Sequence, residues 1–180
     1  MSFSRGKRED YLYQAAYCEE NIWHLSQQKD LQNSYVIFIV SKGDSFPMLN
    51  QRASQHPLFP IFWDYHVILL DMSENNQIFD FDTRLPFNTD IKTYFSQSFI
   101  DESLLADIEI PLFRLVPSSE YIKLFSSDRS HMKTSTGWLA PPPKWPLIGS
   151  SATNLSSFTQ ARANDLGELL TYEAMLERFA

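Results

Sequence analysis

A chain of 180 residues fits one domain, whose folding would bury about 70% of the unfolded chain's surface. Its formal charge is −7, and the only short run of Lys and Arg is Arg5-Gly6-Lys7-Arg8, which excludes the basic footprint of a nucleic-acid binder. No apolar run reaches the roughly 20 residues of a membrane span, and a lone cysteine cannot form an internal disulfide. Residues 1–10 are polar, lack the apolar centre of a signal peptide and read as a loose lead-in, so the expected compartment is the cytosol or nucleus. The aromatic share, 14%, is high and points to a core built on Phe, Tyr and Trp.

In chain order, the first expected element is a helix over 17–28. Cys18, Ile22 and Leu25 recur at i, i+4 and i+7 and share a face. That places Cys18 in a first turn, where free N–H groups favour a thiolate. Glu19 and Glu20 suit the helix dipole but oppose that effect. A β-branched, aromatic run over 35–40 predicts a buried strand. Residues 41–60, with Gly43, Pro47, Pro57 and Pro60, read as a long surface loop. A strand is expected over 61–70, with Asp64, His66, Ile68 and Leu70 on one face and Trp63, Tyr65, Val67 and Leu69 on the other. After a turn at 73–76, a second strand over 77–82 carries Ile78, Asp80 and Asp82 on one face. The two strands read as an antiparallel hairpin. A five-residue loop over 71–75 would set His66 opposite Asp80.

An amphipathic helix is expected over 90–99, then a helical turn over 102–107. Residues 111–116 predict a strand at a sheet edge, because it begins with Pro111. Ser118 or Ser119 would cap a helix through Phe125. Residues 126–151 read as irregular, with the stiff Pro141-Pro142-Pro143-Lys144-Trp145-Pro146 stretch packed on the domain. A turn at 154–158 and a last helix capped by Thr171, with Met175, Leu176 and Phe179 on its docking face, complete the chain.

Cys18, His66 and Asp80 together match the needs of thiol catalysis: a nucleophile, a base, and a carboxylate that holds the base's tautomer. Asp82 is the near neighbour from which Asp80 must be told apart. His24 and His56 read as surface residues. No close ligand pair of the Cys-x-x-Cys or His-x-x-x-His kind exists, so no metal is expected.

Four motifs carry a resemblance. They are Tyr17-Cys18-Glu19-Glu20-Asn21-Ile22-Trp23, then Trp63-Asp64-Tyr65-His66-Val67, then Asp80-Phe81-Asp82-Thr83-Arg84-Leu85-Pro86-Phe87, then Ser127-Asp128-Arg129-Ser130-His131-Met132-Lys133. They closely resemble the protein N-terminal glutamine amidohydrolases. The likeness covers most of the chain and is weakest over 41–60 and 147–170.

The resemblance implies an α+β fold, an antiparallel sheet flanked by helices with a transglutaminase- or papain-like cysteine hydrolase core. It implies conversion of an N-terminal glutamine to glutamate with release of ammonia, feeding the N-degron pathway, in a monomer with no cofactor. Protein or peptide substrates beginning with Gln would be the partners, with no nucleic acid and no membrane. It assigns Cys18 as nucleophile, His66 as acid and base, and Asp80 as the group that orients His66. A pocket for a free terminus needs acceptors for an ammonium, for which Asp64 and Asp128 are candidates. A slot for one carboxamide suits aromatic walls, for which Tyr17 and Trp63 are candidates. The alternatives are a papain-like hydrolase with another substrate and a module that only binds N-terminal residues.

Overall fold

The computed structural model describes residues 6–73 and 75–180. Residues 1–5 of the expected lead-in and Glu74 of the expected turn lie outside the described residues. The strands are β1 (Ser34–Val40), β2 (Phe46–Met48), β3 (Ile61–Trp63), β4 (His66–Asp71), β5 (Gln77–Phe79), β6 (Asn88–Asp90), β7 (Leu112–Pro117), β8 (Lys133–Thr134), β9 (Gly137–Trp138) and β10 (Glu168–Leu170). The α-helices are α1 (Cys18–Leu25), α2 (Ile91–Ser98), α3 (Ser118–Leu124), α4 (Leu155–Phe158) and α5 (Tyr172–Phe179).

Six strands form an antiparallel sheet in the order β10-β7-β1-β4-β5-β6. Strand β1 explains the layering. Val36 to Val40 are all essentially inaccessible, so both faces are covered, and the continuous apolar run follows from that. Side chains alternate between two cores. Val36, Phe38 and Val40 meet Val67, Leu69 and Phe79 under α1, α3 and α4, through Ile22, Leu25, Tyr121 and Phe158. Ile37 and Ile39 meet Ile68, Leu70 and Ile78 under α2 and α5, through Tyr94, Phe95, Met175 and Phe179. Each such side chain contributes about 1.5–3 kcal/mol on burial. The α+β class and the flanked antiparallel sheet match the expectation.

Several finer expectations are corrected. The strand expected over 61–70 breaks at Asp64 and Tyr65. Its first part, β3, leaves the main sheet and pairs with β2. The expected loop over 41–60 therefore contains a strand, and Phe46 and Met48 are fully buried. The β4–β5 register pairs Leu70 with Ile78 and Asp71 with Gln77. The loop has five residues, but it runs over 72–76 instead of 71–75. His66 and Asp80 therefore share a face diagonally, and Asp80 lies just beyond the end of β5.

Strand β7 is interior, not an edge, because β10 pairs with it. What fastens that outer strand is Arg114, whose fully buried guanidinium donates to the carbonyls of Phe158, Gln160, Arg162 and Leu166 and to Asn164 Oδ1. Ser118 does not cap α3; its hydroxyl bonds Ser34 Oγ at 2.7 Å. The described part of the lead-in is docked, with Arg8 Nη2 donating to the Thr83 carbonyl at 2.9 Å. Thr171 caps α5 as expected, accepting from the Ala174 N–H.

Candidate active site

The start of α1 is set from behind. Tyr17 precedes the helix without a side-chain cap, and Ala16 has a left-handed backbone, φ 67°. The grip comes from Asn21, one turn in, which accepts from the Gln14 N–H at 2.8 Å and donates to the Gln14 carbonyl at 2.9 Å. This lock fixes Cys18 at the first helical position, with Ile22 and Leu25 packed below it.

The Cys18 thiol meets the Val67 backbone N–H of β4 and lies 3.6 Å from Glu19 Oε2. Burial, then the Glu19 and Asp82 carboxylates, push its pKa well above the usual thiol value, against the opposing pull of the Val67 N–H. The thiolate-favouring helix start expected from the sequence is thus outweighed, and the resting sulfur is a neutral thiol.

His66 opens β4 on the α2 side of the sheet and is wholly buried. Trp63 stacks on its ring, with centroids 5.1 Å apart and planes 13° apart. Its Nε2 lies 2.9 Å from Asp80 Oδ1. Asp80 also accepts from the Asp82 N–H at 2.8 Å and from the Tyr94 hydroxyl at 2.8 Å. Burial raises the Asp80 pKa, but His66 and these donors more than reverse that, leaving it lowered. An ionised Asp80 can only accept, so the neutral imidazole carries its proton on Nε2. Nδ1 is then the basic nitrogen, and it is buried without a hydrogen-bond partner among the described residues. Burial also lowers the His66 pKa, and Asp80 more than offsets this, leaving it raised.

A cavity of about 500 Å³ opens over Cys18 and beside the buried His66, whose stacking partner Trp63 lines it together with Asp64, Tyr65, Asp82 and His131 among others. That volume suits one side chain with its backbone. Taken together, the geometry offers a thiol, an oriented imidazole and a pocket.

The comparisons with known proteins agree in direction. A family model described as N-terminal glutamine amidase matches residues 13–179. The chain belongs to the N-terminal glutamine amidase family. It is 39% identical over 162 residues to a protein N-terminal glutamine amidohydrolase of Bos taurus and equally to one of Homo sapiens, covering 84% of this chain and 78% of each relative. A Drosophila ananassae protein of the same name is 36% identical over 158 residues, 83% of this chain and 77% of its own.

Within this amidase-family chain, the structure sorts the remaining sequence candidates. Trp63 and Asp64 line the cavity, and Asp64 is exposed with Oδ1 accepting from the Tyr65 N–H. Tyr17 does not line it: the ring is fully buried and the hydroxyl donates to the Ala140 carbonyl at 3.2 Å. Asp128 stands away from it as well, accepting from the Ser130 N–H at 2.9 Å. His24, expected at the surface, is half-buried between Trp23 and Trp145.

Among the described residues, the ligand-type atoms of His66, Asp80 and Asp82 lie within 4.8 Å of one another. Three donors already converge on Asp80, which is the environment of a hydrogen-bonded carboxylate rather than of a cation ligand. No helix among the described residues is long and apolar enough to cross a membrane.

Sequence reasoning missed Tyr94, because nothing in an amphipathic helix says which residue will reach a carboxylate on a neighbouring strand. It also passed over Glu19 as a site residue, although Glu19 adjoins the cysteine and is wholly buried.

The His66–Asp80 pair predicts a stability profile. Asp80's folded pKa is lowered, so its contribution is complete above the ordinary value of 3.8 and is lost as pH falls through the folded value. His66's is raised, so its contribution is complete below 6.5 and is lost as pH rises through the folded value. The melting-temperature gap between the native chain and Asp80→Asn should therefore be widest between about pH 4 and 6.5. Thermal melts across pH 3–9 check it, and a flat gap would contradict the pairing.

Proposed function

We propose that this chain is a cysteine amidohydrolase that converts the N-terminal glutamine of a protein or peptide to glutamate and releases ammonia, as the names of its relatives state for them. Cys18 attacks the carboxamide carbon as His66 Nδ1 takes the thiol proton. The same proton passes to the leaving nitrogen, and the C–N bond of the tetrahedral intermediate breaks to give ammonia and the thioester. Nδ1 then draws a proton from water, which attacks the thioester, and the thiol is restored. Asp80 keeps the Nε2 proton in place throughout. The first-turn N–H groups of α1 have no intrahelical partner, and that of Cys18 is the nearest donor for the oxyanion.

The observation that carries this reading is the buried, unpartnered His66 Nδ1, on the residue preceding the one whose N–H meets the thiol. A raised thiol pKa fits it, because the proton then moves with the attack and the resting sulfur resists adventitious alkylation. A nucleophile at a helix start against an antiparallel sheet, followed in chain order by His and Asp, supports a core of the transglutaminase and papain-like kind. The product, a new N-terminal glutamate, would feed the N-degron pathway.

The test is mass spectrometry of a Gln-initiated peptide beside the same peptide with an acetylated N-terminus. The expected result is a gain of about one mass unit on the free peptide only, with no chain cleavage. Cleavage would indicate a peptidase, and binding without turnover would indicate a recognition module.

A further inference from the structure

The mechanism leaves one buried carboxylate unused. Glu19 is wholly inaccessible and lies beside the nucleophile. Oε2 accepts from the Tyr65 hydroxyl at 3.0 Å and lies 3.6 Å from the Cys18 sulfur. Its main-chain carbonyl accepts from the Tyr121 hydroxyl at 3.0 Å. Oε1 has no hydrogen bond among the described residues. It is faced by His131 Nε2 at 3.3 Å, an ion pair when the imidazole is protonated, and among the described residues neither His131 nitrogen has a hydrogen bond. Cys18, Tyr65 and His131 all line the cavity, so Oε1 stands one side chain behind its wall.

We infer that Glu19 Oε1 is the acceptor for the α-ammonium of the substrate, reached when the His131 ring turns aside, and that it makes the site specific for a chain terminus. This rests on the amidohydrolase reading above. The distances fit. Four bonds separate the carboxamide carbon of glutamine from its α-nitrogen, at most about 5 Å. A carboxamide carbon in contact with Sγ therefore leaves the nitrogen within reach of a carboxylate that begins 3.6 Å from the same sulfur.

The chemistry fits as well. The orphan needs a donor, and a compact ammonium offers three. The Tyr65 hydroxyl holds the carboxylate and the Tyr121 hydroxyl holds the main-chain carbonyl of the same residue, so little ordering remains on binding. Turning His131 aside gives up its 3.3 Å contact with Oε1, which the incoming ammonium replaces, and its side chain is already 22% exposed. The rival acceptors are weaker. Asp64 is exposed, where water screens a charge pair, and Asp128 is not at the cavity.

One consequence separates this from simple anchoring. Glu19 is among the charges that hold the Cys18 thiol protonated. An ammonium on Oε1 offsets that charge, so the free terminus also eases loss of the thiol proton. A substrate without the amine should then lose kcat and not only affinity.

The experiment compares ammonia release from a Gln-initiated peptide and from the same peptide begun with 4-carbamoylbutanoyl, which is glutamine without its amine. The native chain should prefer the first by about 100-fold in kcat/KM, with part of the difference in kcat. Glu19→Gln should shrink the preference to within about 5-fold by slowing the amine-bearing peptide far more than the other, whose thiol no longer meets the Glu19 charge. Equal slowing of both peptides, with the preference intact, would overturn the inference, since a structural carboxylate behaves that way. Should Glu19→Gln lose its circular dichroism signature, Tyr65→Phe takes its place. It frees Oε2 and should cut the preference by about 10-fold, and an unchanged preference overturns the inference. A native chain that deamidates both peptides alike rejects the ammonium anchor and leaves the amidase standing. Deamidation of neither rejects both.

Discussion

Asp80→Asn should lower kcat for ammonia release from a Gln-initiated peptide by about 10⁴-fold with little change in KM. The reason lies in the tautomer. Asp80 accepts from His66 Nε2, the Asp82 N–H and the Tyr94 hydroxyl. Asparagine keeps one oxygen and brings an NH₂ group. If the oxygen stays with Tyr94, the NH₂ faces Nε2 and moves the imidazole proton to Nδ1, which removes the lone pair that must take the thiol proton. If the oxygen turns to His66, the Tyr94 hydroxyl loses its acceptor and the charge that raises the His66 pKa is gone in either case. Asp82→Asn is the control. Asp82 Oδ1 accepts from the Tyr13 hydroxyl at 2.7 Å, a contact an amide oxygen can keep, so its loss of kcat should stay under about 10-fold. Steady-state kinetics of the two variants decide which acid orients His66, and the reverse order of effects would reassign the role to Asp82.

Arg129→Met should destabilise the protein by about 3–5 kcal/mol. Glu20 is wholly buried, and both its oxygens are taken, by Arg129 Nε at 2.9 Å, Arg129 Nη2 at 2.8 Å and Trp145 Nε1 at 2.7 Å. The same guanidinium donates to the carbonyls of Pro143, Trp145 and Pro146. Removing it leaves a buried carboxylate without its counter-charge and a proline-rich segment without its tie. For a chain of this length the melting temperature should fall by roughly 10 °C. Adding Glu20→Gln to Arg129→Met removes the stranded charge, so the double variant should melt above the single one. A double variant that melts lower would show that the segment's tie, not the charge, dominates.

How much of this was legible in the sequence depended on range. Helical spacing found α1, α2 and the last helix with its Thr171 cap, and a β-branched, aromatic run found β1, because each is decided by neighbours within a turn or two. The Cys18, Ile22, Leu25 face was legible for the same reason. The proline-rich stretch was legible as packed, though not that Arg129 would hold it, since its partner Glu20 is 109 residues away. The break between β3 and β4 was hidden because Trp63 to Val67 alternates as well as any strand, and only pairing with β2 shows where the chain leaves the sheet.

The edge assignment of β7 failed for a comparable reason. Pro111 excludes a hydrogen bond before the strand begins, while the partner that covers it, β10, is three residues of weak pattern whose preceding segment Arg114 holds from 44 to 52 residues away. In the site, Cys18, His66 and Asp80 were legible as residue types. The Glu19 environment was not, because burial of an acid beside a thiol is a tertiary outcome that helix-end chemistry does not foretell.

The alternation of β4 has a mechanical corollary. Val67 faces the layer that carries Cys18, while His66, Asp80 and Tyr94 belong to the opposite layer. In the proposed mechanism the thiol and its base are thus delivered by two slabs on opposite faces of one sheet, beside the start of β4. Shear between those slabs, too slight to melt either, changes the distance over which the proton must travel. Catalytic rate is then a finer gauge of how the layers sit than any signal averaged over helices and strands, and on gentle heating it should fade first.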